Sequence, residues 1–304
     1  MRFLLRIFFT AIFIVFSMSC NLYSDVKASD KIIFLGMFEG DKSFQVWSIS
    51  IDGKKLNKIT DMQTEVVNLF KLKDNAVGYR INLEKAIQLN RLNLNKGISE
   101  TLFLYDINLA HEKKYEVDIA VSVDQSIMAI SHRNKAGYDL ILQYLDTTNF
   151  ETRTIFVGEQ SPLRSFQFSE NNRNLLYFIK ANRNISRIDL KTGVETEIYS
   201  SINNVLSFSV SSNKKLIAVN YFNREIKKAE IIVLDEKSAP WIKINGSHSI
   251  MEPSFSIDSR YLVYIDGYGE EENRIILFDT VKKTKNIVFK GRCSIANPIL
   301  INAS

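Results

Sequence analysis

The chain has 304 residues, of which 45% are hydrophobic and 24% charged, and a formal charge of +5 at neutral pH. That is an ordinary globular composition, which excludes a disordered or fibrous protein and supplies enough apolar side chains for a full core. Without Arg2 and Arg6 the balance is 37 basic to 34 acidic residues; Lys-rich stretches such as Lys282-Lys283-Thr284-Lys285 read as solvated turns, and no nucleic-acid partner is expected.

At the N-terminus Arg2 and Arg6 are followed by an uncharged apolar run over residues 7–16. A positive segment leading into such a run is the pattern of a signal peptide, here residues 1–19, and the run is about half the ~20 residues a membrane-spanning helix needs. Ser17-Met18-Ser19-Cys20 resembles the lipobox of bacterial lipoproteins, although Ser17 stands where Leu, Val or Ile is usual. Cys20 is therefore a candidate lipidation site, with ordinary cleavage before Cys20 or after Ala28 as the alternatives. An exported protein is expected, periplasmic or membrane-anchored, with residues 20–30 as a linker and 31–301 as one domain. The two cysteines are Cys20 and Cys293, so if Cys20 is lipidated or removed no intrachain disulfide can form and the core must hold the fold.

From residue 31 onward the chain repeats itself. Four segments superpose: Ser122-Val-Asp-Gln-Ser-Ile-Met-Ala-Ile130, Ser169-Glu-Asn-Asn-Arg-Asn-Leu-Leu-Tyr177, Ser211-Ser-Asn-Lys-Lys-Leu-Ile-Ala-Val219 and Ser256-Ile-Asp-Ser-Arg-Tyr-Leu-Val-Tyr264, starting 47, 42 and 45 residues apart. A degenerate copy starts at Lys71. Each reads as a tight turn entering a strand, with Asp124, Asn171, Asn213 and Asp258 as turn-formers whose short side chains accept a nearby backbone N–H. A second mark follows in every repeat, a strand ending in Asp106, Asp146, Asp189, Asp235 or Asp279, then a polar turn and another short strand. Four short strands in some 40–50 residues, without a long 3.6-period stretch, is the arithmetic of a β-propeller blade.

Two stretches carry a family resemblance. Pro253-Ser-Phe-Ser-Ile-Asp-Ser-Arg260, and Gln45-Val-Trp-Ser-Ile-Ser-Ile-Asp-Gly53 running to Lys58-Ile-Thr60, resemble the TolB-like (WD40-like) propeller repeat, which reads approximately Pro-x-x-Ser-Pro-Asp-Gly-Lys, an apolar strand, an Ile-Tyr-x-x-Asp strand and a Leu-Thr-like ending. The resemblance spans residues 31–301, but Gly rarely follows the turn Asp here. It implies an all-β, six-bladed propeller with four antiparallel strands per blade, and an interaction module at the cell envelope. The first repeat begins at Lys31, already on its second strand, and the missing strand is found in Asn297-Pro298-Ile-Leu-Ile301, where Pro298 lies 45 residues after Pro253. The C-terminal strand is therefore expected to complete blade one and leave no open blade edge. The expected blades are 31–61 with 293–301, 64–117, 118–158, 163–200, 205–245 and 252–290.

Catalytic chemistry finds little support. His111, His132 and His248 are isolated from one another and from cysteine, so no local metal-ligand spacing exists, and no metal or cofactor is expected. There is no G-x-S-x-G elbow, and the chain ends where a peptidase of the propeller-plus-hydrolase type would need its catalytic domain. Ser50-Ile-Asp-Gly53 lacks the spacer of the sialidase Asp-box pattern. Glu270-Glu271-Glu272 does not match calcium-loop spacing and reads as a hairpin tip. Residues 84–97 read as an insertion between the second and third strands of blade two, whose Ile87, Leu89, Leu92 and Leu94 either extend a hairpin or dock a partner.

One binding site can be placed by counting. The first strand of each blade lines a propeller's channel, so the residue entering it belongs at a channel mouth. Four residues before the repeat serine, or its equivalent, stand Asn297, Val67, Asp118, Ser165, Ser207 and Glu252 for blades one to six. Asp118 and Glu252 fall on opposite blades, giving a polar, partly acidic funnel able to hold a cation, a basic side chain or a sugar. The alternative is that these side chains only satisfy backbone groups and channel water. The expected partner is an envelope protein or peptide, bound by a monomer without catalysis; the rival is a small-ligand or glycan-processing propeller with its site in the same channel.

Overall fold

The computed structural model describes residues 31–84, 86–106, 117–133, 136–145, 151–246, 249–267 and 272–301. They form six four-stranded antiparallel sheets and, among the described residues, no helix. β1 (Lys31–Met37), β2 (Gln45–Ser50) and β3 (Leu56–Lys58) make blade one with the last strand, β24 (Ser294–Ile301). Blade two is β4 (Val66–Lys71), β5 (Ala76–Asn82), β6 (Ala86–Asn93) and β7 (Ile98–Asp106). Blade three is β8 (Val117–Val121), β9 (Ile127–Arg133), β10 (Tyr138–Tyr144) and β11 (Thr152–Glu159). Blade four is β12 (Leu163–Ser169), β13 (Asn172–Lys180), β14 (Asn184–Asp189) and β15 (Glu195–Ser200). Blade five is β16 (Asn204–Val210), β17 (Ile217–Asn223), β18 (Lys228–Leu234) and β19 (Pro240–Asn245), and blade six is β20 (Ser249–Phe255), β21 (Tyr261–Gly267), β22 (Asn273–Asp279) and β23 (Thr284–Gly291). The ring closes as expected: β24 pairs antiparallel with β1, setting Leu300 opposite Ile32 and Ile299 opposite Ile33.

A blade is buried on both faces, so its second strand must be apolar at consecutive positions rather than alternate ones. Ile32, Ile33, Phe34 and Leu35 on β1 are all within 1% of complete burial. Ile32 and Phe34 pack with Val263, Ile275 and Leu277 of blade six, while Ile33 and Leu35 pack with Val66, Leu69 and Tyr79 of blade two. The same division recurs around the ring, giving one apolar cluster for each pair of neighbouring blades.

The turns explain the repeat. Asp124 Oδ1 accepts from Ser126 N (3.2 Å) and Asn213 Oδ1 from Lys215 N (3.0 Å), while Asp258 Oδ1 accepts from Arg260 N (3.1 Å). The serine that opens each of these turns accepts the N–H five residues on, from Ile127 (2.9 Å), Leu216 (2.9 Å) and Tyr261 (2.8 Å). The residue after each turn-former lies in the left-handed region, with φ 62° at Gln125, 61° at Lys214 and 62° at Ser259. The TolB-like pattern has Gly at that place, where the conformation is free of steric cost. Asn171 departs from the expectation. Its turn has only two residues, with Ser169 paired to Asn172, so no loop amide stands two residues on; its Nδ2 instead donates to Ser212 O on blade five (2.8 Å). The strand-ending acids behave alike where described: Asp189, Asp235 and Asp279 each accept two turn N–H groups through Oδ1.

Residues 84–97 are not an insertion. They contain β6, the third strand of blade two, and the turn into β7. Ile87, Leu89, Leu92 and Leu94 are 0–7% exposed and belong to the clusters on the two faces of that blade, so none is free to dock a partner. Ile87 and Leu89 are two apart on one face, and Leu92 and Leu94 two apart on the other, as alternation along a strand buried on both sides gives. Cys20, His111, His248, Asp146, Glu270 and Glu271 lie outside the described residues, and of His132 and Asp106 only the backbone is described.

Candidate functional site

The innermost strands β24, β4, β8, β12, β16 and β20 surround a cavity of about 660 Å³. Val67, Asp118, Ser165, Ser207, Glu252 and Asn297 all line it, so the six positions counted in the sequence are brought together. Five of the six inner strands carry a register shift at this level, between Val66 and Asn68, Arg164 and Gln167, Val205 and Ser207, Met251 and Ser254, and on β24 opposite Ile33 to Leu35. Ser165, Glu252 and Asn297 have φ of 55°, 53° and 47° there. A bulge leaves backbone groups outside the ladder, and in a buried place they need other partners.

The two acids supply those partners. Asp118 Oδ2 accepts the backbone N–H of Ser165 on the next blade, and its Oδ1 accepts the N–H of Ile119 (2.9 Å). Glu252 Oε2 accepts the backbone N–H of Asn297, again on the next blade. This part of the arrangement matches the alternative expectation, in which the funnel residues satisfy backbone groups. The two acids then differ. Burial pushes the Asp118 carboxyl above its usual range, against the Ser165 N–H bond and the Arg80 and Arg164 guanidiniums on blades two and four. Burial also raises Glu252, but among the described residues only the Asn297 N–H opposes it and no cation acts on it.

A stability consequence follows for Glu252. A carboxyl whose pKa is raised by folding stabilises fully below its unfolded value, about 4.3, and loses that contribution as pH rises through the folded value. Glu252→Gln retains an oxygen for Asn297 N–H and removes the buried charge. The substitution is expected to leave urea stability unchanged at pH 4 and to raise it at pH 7.5. A difference independent of pH, or a less stable Gln variant at pH 7.5, contradicts this assignment.

The wall on blades four and five is apolar. Phe166, Leu206 and Phe222 line the cavity, and Leu206 and Phe222 remain 39% and 38% exposed. Two further exposed apolar residues stand at the same end of the ring: Ile202 (86%), in the connection between β15 and β16, and Ile226 (49%), in the β17–β18 turn.

The opposite end of the channel is bridged. Lys71, the last residue of β4, ion-pairs with Glu170 of blade four (3.1 Å) and donates to the Phe255 carbonyl of blade six. Glu170 also accepts from the Ser212 hydroxyl of blade five. Lys71 and Glu170 are 16% and 12% exposed, so four blades meet in a largely dehydrated polar cluster. Lys71, Glu170, Arg80 and Arg164 are not among the site residues that the repeat marks in the sequence. For the first there was a signal: by register Lys71 stands where the other repeats have the apolar residues Val121, Phe168, Val210 and Phe255.

No protein-family model and no curated protein sequence matches the chain. Solved structures do. TolB from Acinetobacter baumannii superposes with a TM-score of 0.66 at 13% identity, over 92% of this chain and 68% of that one. A chain of a nidogen/laminin complex gives 0.64 at 11% identity, over 90% and 98%. A puromycin hydrolase gives 0.59 at 12% identity over 88% of this chain, but only 53% of its own length is covered. The fold is thus a TolB-like six-bladed β-propeller, and identities this low carry the fold alone.

Proposed function

We propose that the chain is an exported binding propeller whose channel mouth recognises a segment of an envelope protein or peptide. The observation that carries the reading is a cavity with two acids, Asp118 and Glu252, and an apolar wall that includes the partly exposed Leu206 and Phe222, with exposed Ile202 and Ile226 at the same end of the ring. Exposed apolar surface continuous with a concavity is costly in water and is the ordinary sign of a docking surface. One structural neighbour, a chain of a nidogen/laminin complex, comes from a protein–protein complex and supports the reading of a propeller used for protein contact. Lys31 pairs with Ile301, at the end of β24 away from Asn297, so β1 begins at the end of the ring opposite the mouth. We also propose that Cys20 is lipidated and tethers the propeller to a membrane.

Leu206→Asp with Phe222→Asp changes only partly exposed side chains, and removing a hot-spot side chain from an interface costs about 2 kcal/mol or more. The double variant is expected to remain folded and to recover at least tenfold less of the partner captured from envelope extracts by the parent. Equal recovery removes the rim from the account. One observation favours a small-ligand reading instead: Asp118 acted on by Arg80 and Arg164, a set suited to an ionic or sugar ligand. That reading gains if Asp118→Ala abolishes function while the rim variant does not.

A further inference from the structure

The mouth contains one acid whose charge is matched and one whose charge is not. Asp118 is engaged through both oxygens and lies in the field of two guanidiniums. Glu252 is engaged through Oε2 alone; among the described residues Oε1 accepts no hydrogen bond, and no cation acts on the carboxylate. An ionised carboxylate held partly out of water without a counter-charge is unfavourable, and it is relieved when a ligand brings the cation.

The position of Glu252 narrows the ligand. Its neighbours around the cavity are Ser207 on blade five and Asn297 on blade one, both able to accept a further hydrogen bond, and the apolar wall of Leu206 and Phe222 adjoins it on blade five. One free oxygen offers monodentate recognition. A guanidinium is best matched by two carboxylate oxygens, whereas an ammonium is a point charge with three donors that can be shared among Glu252, Ser207 and Asn297. A lysine stem is also apolar along four carbons and can lie on the Leu206 and Phe222 wall while its head reaches the acid.

Resting on the reading of the mouth as a protein-docking surface, we propose that it contains a lysine subsite. Glu252 receives the ammonium of one lysine of the docked segment, and apolar residues flanking that lysine pack on Leu206, Phe222 and Ile226. The charge complementarity selects a segment in which a single lysine is bracketed by aliphatic or aromatic residues. An acidic segment is excluded by the same carboxylate.

The test uses two synthetic peptides, acetyl-Leu-Ile-Lys-Gly-Leu-Phe-amide and the same peptide with Nε-acetyl-lysine, titrated against the purified propeller. The lysine peptide is expected to bind at least tenfold more tightly than its acetylated form, and Glu252→Gln to remove that preference. That factor follows from the loss of one charge-assisted hydrogen bond. In carbon-13 NMR the side-chain carboxyl of Glu252 should titrate at lower pH with the lysine peptide present, a change that a purely structural role for Glu252 does not produce. Equal binding of the two peptides, binding of neither at millimolar concentration, a preference that survives Glu252→Gln, or an unmoved Glu252 titration overturns the subsite. If the subsite fails while Leu206→Asp with Phe222→Asp still abolishes partner capture, the docking reading stands without it; if that variant also captures normally, the docking reading itself has failed.

Discussion

Truncation after Ala296 is expected to yield no cooperatively folded propeller. The residues removed include Ile299 and Leu300, 6% and 2% exposed, which pack on different neighbours: Ile299 in the cluster between blades one and two, Leu300 in that between blades six and one. They also carry the pairing of β24 with Lys31, Ile32 and Ile33 on β1. Removing a buried Ile or Leu side chain costs about 2–5 kcal/mol, and a whole domain is stable by only about 5–15 kcal/mol. Losing both, with the strand's hydrogen bonds and two interfaces opened at once, exhausts that margin. Leu300→Ala, the milder form, should remain folded and lose about 3 kcal/mol in urea unfolding. Cooperative unfolding of the truncated chain at the parental midpoint contradicts ring closure by β24 as the stabilising interaction.

Lys71→Met is expected to destabilise the ring by about 3 kcal/mol, the cost of leaving one partner of a largely buried ion pair without the other. Met preserves the packing of the stem, so the effect belongs to the charge. Glu170 would retain the Ser212 hydroxyl, and the Phe255 carbonyl would lose its donor. Lys71→Met combined with Glu170→Met should recover most of the loss, because an apolar pair does not bear the desolvation penalty of an ionic one. Urea midpoints of the parent, the two single variants and the double variant form the cycle that measures it. Single variants as stable as the parent, or a double variant no better than Lys71→Met, would show that Lys71 and Glu170 act independently and do not clamp the channel.

The features legible in the sequence are those the fold repeats. Ser, a spacer and Asp or Asn followed by an apolar run appear in several copies because each blade solves the same turn problem, and the displaced strand at 297–301 could be found by spacing from Pro253. The level of the funnel was legible for the same reason: one offset, applied in six places, reaches the six cavity-lining residues. Individual departures were harder to read. Residues 84–97 passed for an insertion because their apolar residues alternate with Asn, Gln and Arg, which is what a blade's third strand looks like without its neighbours. Asn171 looks like Asp124 and Asn213 in sequence, yet a shorter turn in that blade redirects its side chain to blade five. Interactions across the channel, such as Lys71 with Glu170, join residues 99 apart on blades two and four, and no local pattern specifies which charges meet there. Lys71 and the shortened turn at Glu170 both break the repeat, and breaks in a repeat are where such interactions are to be sought.

Partner capture by variants on the two faces decides whether the mouth is the working face. Ile257 and Val281, 55% and 71% exposed, lie in the β20–β21 and β22–β23 turns, at the end of blade six away from Glu252. The parent, the Leu206→Asp, Phe222→Asp variant and an Ile257→Asp, Val281→Asp variant would be immobilised at equal density and exposed to the same envelope extract. The mouth variant is expected to lose the partner at least tenfold while the opposite-face variant captures it as the parent does. Loss confined to the opposite-face variant, or equal capture by all three, contradicts the mouth as the working face.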